Sequence, residues 1–132
     1  MIIDTSAIVA ILKDEPEGNV FTDLLLASSP ASISAACYVE AAVVIDGMGD
    51  PVTSGRLDQL LAALGVTIVD LNVDQARFAR AAYRDFGRGS GHPARLNLGD
   101  CFSYALAKAT GEPLLFKGDD FGHTDLTQAV PG

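Results

Sequence analysis

The chain opens Met1-Ile2-Ile3-Asp4-Thr5-Ser6-Ala7-Ile8-Val9-Ala10-Ile11-Leu12, an apolar run interrupted once by a carboxylate and a hydroxyl pair. Met1 to Ile3 is short and apolar enough for a buried strand, and Asp4 stands where that strand would end. Thr5 or Ser6 is placed to cap a helix from Ala7 to Lys13, because a hydroxyl oxygen accepts bonds from the free N–H groups of a first turn. A strand handing over to a helix within a few residues begins an α/β sheet. In such sheets ligands bind at the carboxyl ends of the strands, which makes Asp4 a site candidate. A role as a helix cap alone fits this stretch equally well.

Working outward, Glu17 to Ser28 reads as an amphipathic helix ended by Ser28-Ser29-Pro30, and Ala31-Ser32-Ile33 as a short strand. The helix from Ser34 is apolar nearly all round from Ala35 to Ile45 except for Glu40, the pattern of a helix buried on most faces. Gly47 to Pro51 breaks it. Leu57, Leu60, Leu61 and Leu64 then stripe a helix over Arg56 to Leu64, and the β-branched run Val66-Thr67-Ile68-Val69 reads as a strand. Asp74 to Gly87 is the next helix, with Ala76, Ala79, Tyr83 and Phe86 inward. A glycine-rich loop, Arg88 to Arg95, precedes a helix opened by Asn97-Leu98-Gly99-Asp100 and closed by Gly111. Leu114 to Phe116 is a buried strand, and Ala129-Val130 an edge fragment. Strands alternating with helices predict a mostly parallel sheet covered on both faces.

With 132 residues, 48% of them hydrophobic, and a mean hydropathy of +0.26, the expectation is one globular domain over residues 1–132. No basic leader with a cleavage site is present, and no apolar run approaches the roughly 18 residues of a membrane span. A soluble cytoplasmic protein is expected, with no membrane partner. Cys37 and Cys101 lack metal-ligand spacing and read as buried reduced thiols. The net charge of −8 argues against indiscriminate nucleic-acid binding, but it is unevenly spread. Residues 1–72 carry ten acids against Lys13 and Arg56, whereas residues 73–117 carry seven Lys or Arg against four acids.

Asp4, Glu40, Asp100 and Asp119 all fall near strand ends or helix starts on what would be one edge of a parallel sheet. Each has a plain structural reading: Asp100 complements a helix dipole, Asp119 and Asp120 cap a short terminal helix, and Glu40 reaches water. Glu40 fits its reading worst, because an acid among Val39, Ala41, Ala42 and Val43 is costly to bury unpaired. Converging carboxylates repel unless a cation neutralises them, and hard Mg²⁺ or Mn²⁺ suits an all-oxygen donor set. Such an ion activates water and orients a phosphodiester, so phosphodiester hydrolysis is the expected reaction. His92 and His123 show no zinc pattern and read as surface residues. Arg77, Arg80, Arg84 and Arg88 share a helical face, either a solvated side or a contact for a phosphate backbone or an acidic partner. Arg95, Lys108 and Lys117 lie nearer the acids in sequence.

Four segments, Ile2-Ile3-Asp4-Thr5-Ser6-Ala7, the lone Glu40, Leu96 to Ala107 around Asp100, and Leu114 to Phe121, in this order resemble the PIN-domain family, specifically its VapC-type toxins. The resemblance spans essentially the whole chain. It implies a three-layer α/β fold with a mostly parallel five-stranded sheet flanked by helices. It also implies a Mg²⁺- or Mn²⁺-dependent endoribonuclease that forms a homodimer and is inhibited by a cognate antitoxin protein. Matched residue by residue, Asp4 and Asp100 are the principal metal ligands, Glu40 and Asp119 complete the acidic set directly or through water, and Ser6 supports the first aspartate. Arg84, Arg88, Arg95 and Lys117 are candidates for contact with RNA or the partner. The family's Thr-x-Asp after the late strand would put its acid at Gly118, so Asp119 or Asp120 must stand in; Asp119 comes first. A phosphatase that phosphorylates its own aspartate is the rival enzyme, but it wants a second acid where Ser6 stands. A non-catalytic, partner-binding domain is the other rival.

Overall fold

The computed structural model describes residues 1–28 and 30–129. Four strands, β1 (Ile2–Ile3), β2 (Ala31–Ser34), β3 (Val66–Val69) and β4 (Leu114–Leu115), form one sheet in the order β3-β2-β1-β4, with every pairing parallel. Six helices connect them: α1 (Thr5–Leu12), α2 (Gly18–Ala27), α3 (Ala35–Asp46), α4 (Pro51–Ala63), α5 (Val73–Phe86) and α6 (Leu98–Thr110). The α/β architecture with a parallel sheet between helical layers is the one expected. The strand count differs, with four strands among the described residues rather than five. At the outer edge of β4 a single parallel bridge joins Leu114 to Gln128, framed by Leu114 N–H to Thr127 O and Ala129 N–H to Leu114 O, each 2.9 Å. One bridge is too little pairing to make a strand. Val130, the other half of the expected edge fragment, lies outside the described residues.

The strands are short because successive residues face opposite layers and few are needed to join them. Ile3 and Leu115 pack with α1, α2, α3 and α4, while Ile2 and Leu114 pack with α5 and α6. All four side chains are fully buried, worth about 2 kcal/mol each by area.

Several local expectations shift. The cap of α1 is the Asp4 side chain, which accepts from the Ser6 N–H, so the helix begins at Thr5 rather than Ala7. The chain breaks after α3 as expected, but α4 begins at Pro51 rather than Arg56: Asp50 caps it, and a proline at the first turn forfeits no hydrogen bond. The buried stripe of α5 is Gln75, Ala79 and Ala82, while Tyr83 is exposed. His92 is half-buried rather than on the surface, its ring edge-on to Phe86 at 4.8 Å and its Nδ1 accepting from the Ala94 N–H. Both cysteines are buried free thiols, as expected.

Candidate active site

The chain lays down β1, β2 and β3 outward in one direction and then returns past β1 to place β4 on its other side. The connections at β1 and β4 therefore diverge, opening a crevice at the carboxyl ends of these two strands, which is where open α/β sheets bind ligands. Asp4 directly follows β1 in this crevice.

Asp4 is 3% exposed, and both of its carboxylate oxygens are held. Oδ2 accepts from Ser6 Oγ at 2.6 Å and from the Ser6 N–H at 3.0 Å; Oδ1 accepts from Ser103 Oγ at 2.6 Å. Ser6 Oγ in turn accepts from the Lys117 N–H at 2.9 Å, which ties the end of β1 to the segment after β4. Ser103 Oγ has one proton and gives it to Asp4. The Cys37 thiol, 3.0 Å from that oxygen, is thus the donor in their contact. Burial, then the charge of Asp4, push the Cys37 thiol up to about 12, so it keeps its proton. Cys37, Ser103 and Asp4 form one buried chain of hydrogen bonds.

Asp100 stands at the third position of α6 in a reciprocal cap. Its N–H donates to Asn97 Oδ1 at 2.9 Å, and its Oδ2 accepts from the Asn97 N–H at 3.0 Å. Burial pushes the Asp100 carboxyl up to about 6; the Asn97 N–H opposes this, and the charges of Asp4, Asp120 and Glu40 add to it. The charge felt from the last loop is that of Asp120, the first residue of a 3-10 turn over Asp120–His123. Asp119 is exposed and borders a separate recess with Phe116, Gly122 and His123. Glu40 projects from α3 onto the first turn of α6, against Gly99.

The basic candidates are less concentrated than the sequence implies. Arg84 is engaged by Asp85 at 2.9 Å, and the Lys117 ammonium is held by Glu15 and Glu17. Arg88 lies beyond the end of α5 rather than on its face, where its N–H donates to Leu96 O. Arg95 is exposed with φ at 50°, in the loop leading to α6. Two residues at the site escaped the sequence reading. Ser103 lies one turn after Asp100 on α6, and that spacing was the only signal for it. Gly99 read as part of a helix opening.

Among the described residues, no three His, Cys, Asp or Glu side chains are grouped closely enough to cage a metal ion. The donor set nevertheless fits Mg²⁺, which needs only one or two carboxylates and keeps several waters. The upward push on Asp100 from three neighbouring acids is the repulsion that a cation would relieve.

A PIN domain profile matches residues 1–126. Over nearly their full lengths, the chain is 52% identical to ribonuclease VapC28 and 53% identical to ribonuclease VapC42, both of Mycobacterium tuberculosis, with 98% of each chain covered. Its fold is similar to that of the Mycobacterium tuberculosis VapC20 toxin, described as cleaving the sarcin-ricin loop, with a TM-score of 0.76 at 14% identity and 96% of each chain covered. It is similar also to a toxin–antitoxin complex from Klebsiella pneumoniae, with a TM-score of 0.68 at 20% identity over 91% of this chain and 88% of that one. With an aspartate closing the central strand, a second opening α6, and this similarity along its whole length, the chain belongs to the PIN-domain family and, within it, to the VapC ribonucleases.

Proposed function

We propose that this protein is a Mg²⁺- or Mn²⁺-dependent endoribonuclease, the toxin of a type II toxin–antitoxin pair acting in the cytoplasm. The observation that carries this reading is Asp4: a buried carboxylate at the end of the central strand, oriented through both oxygens and facing other acids. Asp4 and Asp100 would hold the ion, with Glu40 and an acid of the last loop around it. Of that loop's two acids, Asp120 is favoured over the expected Asp119, because its charge adds to the upward push on Asp100. When bound, the metal supplies an activated water and neutralises phosphate charge.

The chain's own residues fix where this happens. Ser6 and Ser103 orient Asp4, the Asn97 cap holds Asp100 on the first turn of α6, and Arg95 lies in the loop leading into that helix, where it can meet a phosphate. Water adds to phosphorus as the P–O3′ bond breaks, and the departing oxygen takes up a proton, leaving 5′-phosphate and 3′-hydroxyl ends. A self-phosphorylating aspartate fits less well, since Ser6, where a second acid would be needed, spends its hydroxyl on Asp4.

The cognate antitoxin is the proposed partner, supported by the fold's similarity to a chain of a toxin–antitoxin complex. A homodimer is proposed as well, supported by an exposed apolar groove along α5 and α6 that Tyr83, Leu98 and Phe102 line. No helix among the described residues is long and apolar enough to cross a membrane.

The test is to incubate purified, antitoxin-free protein with total RNA in Mg²⁺, with and without EDTA, and to map the ends. Asp4→Asn should reduce cleavage at least a hundredfold with the fold intact. Undiminished cleavage by that variant, or cleavage indifferent to EDTA, defeats the reading.

A further inference from the structure

Gly99 occupies the second position of α6, and its φ is not in the left-handed region that favours glycine. Within a helix, glycine is disfavoured relative to alanine. Backbone freedom therefore does not account for it, and the space around it does. A Cβ built on Gly99 would stand 2.6 Å from Cδ of Glu40, 2.8 Å from Oε1 and closer still to Oε2, and these are the three nearest atoms. Glycines that serve close packing look different. At Gly18 the nearest atoms to such a Cβ are backbone, Ala10 O at 3.0 Å and Ile11 Cα at 3.2 Å. At Gly99 the three nearest atoms to that position all belong to one carboxylate, at the flexible end of a side chain.

We propose that Gly99 is a positioning residue, its missing side chain leaving the seat in which α3 lays the Glu40 carboxylate against the first turn of α6, beside Asp100. Cys37, one turn before Glu40 on α3, faces the same spot, its Sγ 3.8 Å from Gly99 O, so a second side chain of α3 also packs on this turn. Any side chain at residue 99 would force Glu40 to swing away. The end of a glutamate is flexible, so the fold tolerates the change and the loss falls on where the carboxylate sits. The inference rests on the nuclease reading above, in which Glu40 belongs to the acidic set.

The experiment compares wild type, Gly99→Ala, Glu40→Gln and the double variant. Three quantities are read: Mn²⁺ affinity by calorimetric titration with MnCl₂, cleavage of RNA, and the metal-free thermal midpoint. Gly99→Ala should weaken Mn²⁺ binding and cleavage by about tenfold, the usual scale for a residue that orients a ligand. Its metal-free midpoint should be unchanged or higher. The double variant should be no worse than Glu40→Gln alone, because both changes remove the same carboxylate from the same place. The proposal is overturned if Gly99→Ala binds Mn²⁺ as wild type does, if its defect adds in full to that of Glu40→Gln, or if it lowers the midpoint, since the backbone would then be what gives way. A wild type that neither binds Mn²⁺ nor cleaves RNA brings down the nuclease reading, and this inference with it.

Discussion

The orientation of Asp4 is decided by the side chains around it. Its two oxygens accept from Ser6 and Ser103, and the Ser103 hydroxyl in turn accepts from the Cys37 thiol. Ser103→Ala leaves Oδ1 of a buried carboxylate without its donor, which costs about 1–3 kcal/mol of stability. It should also weaken Mn²⁺ binding roughly tenfold, since partners of metal-binding carboxylates tune affinity on that scale. Denaturant unfolding and metal titration of the same variant check both; a change in stability alone would make Ser103 a packing residue. The place of Asp4 was readable from the apolar triplet before it, and the cap reading holds, since Oδ2 accepts from the Ser6 N–H at the start of α1. Ser103 was not readable. A serine inside a helix has many uses, and only the crossing of α6 over the end of β1 turns this one toward Asp4.

At the scale of the element, α6 carries Asp100, Ser103 and Gly99 on its first turn and a half, so the way that helix begins decides the geometry of the site. Its start is set by the reciprocal cap between Asn97 and Asp100, and its end by Gly111, whose φ of 71° lies in the left-handed region where glycine is at ease. Asn97→Ala removes one half of the cap and should lower stability by about 1 kcal/mol. Cleavage should fall no further than the folded fraction does, because the Asp100 carboxylate accepts from the backbone N–H of residue 97, which alanine keeps. Thermal unfolding and RNA cleavage measured in parallel check this; a cleavage rate well below the folded fraction would contradict it. The sequence signals for α6 were strong because the cap, the apolar stripe and the terminal glycine agree. Those for α4 and α5 misled where one signal had two meanings. Pro51 can stop a helix or start one, and only the Asp50 cap decides. In α5 the apolar Tyr83 faces a groove while the polar Gln75 is buried, its Nε2 donating to Asp70 O. Periodicity alone cannot find that rotation.

For the molecule as a whole, charge bears on how stable the fold is. The chain carries a net charge of −8, and Asp4, at the end of β1, is near enough to Asp100 for its charge to be felt there, as are Glu40 and Asp120. Burial first, and then those charges, lift the Asp100 carboxyl from 3.8 to about 6. A carboxyl raised on folding binds its proton more tightly in the folded state. Its stabilising contribution is therefore complete below about pH 4, is lost as pH rises through about 6, and becomes a constant cost above that. Asp100→Asn, a neutral replacement that keeps an acceptor for the Asn97 N–H, should stabilise the metal-free protein at pH 7.5. The gain should be about 1 kcal/mol, allowing for solvent screening at a carboxylate that is only partly covered, and should vanish near pH 4. A divalent ion works on the same term from the other side, because it favours the ionised form and competes with the proton. At ten times its Kd, Mg²⁺ should add about 1.4 kcal/mol, roughly 5 °C in the midpoint of a domain this size. That increment should shrink as pH falls from 7.5 to 5, disappear with EDTA, and be absent in Asp4→Asn. Thermal scans at matched ionic strength, with NaCl as the control, separate binding at the crevice from general screening of the excess negative charge. An increment reproduced by NaCl, or one that grows toward pH 5, would mean that the acids at the crevice do not share an ion.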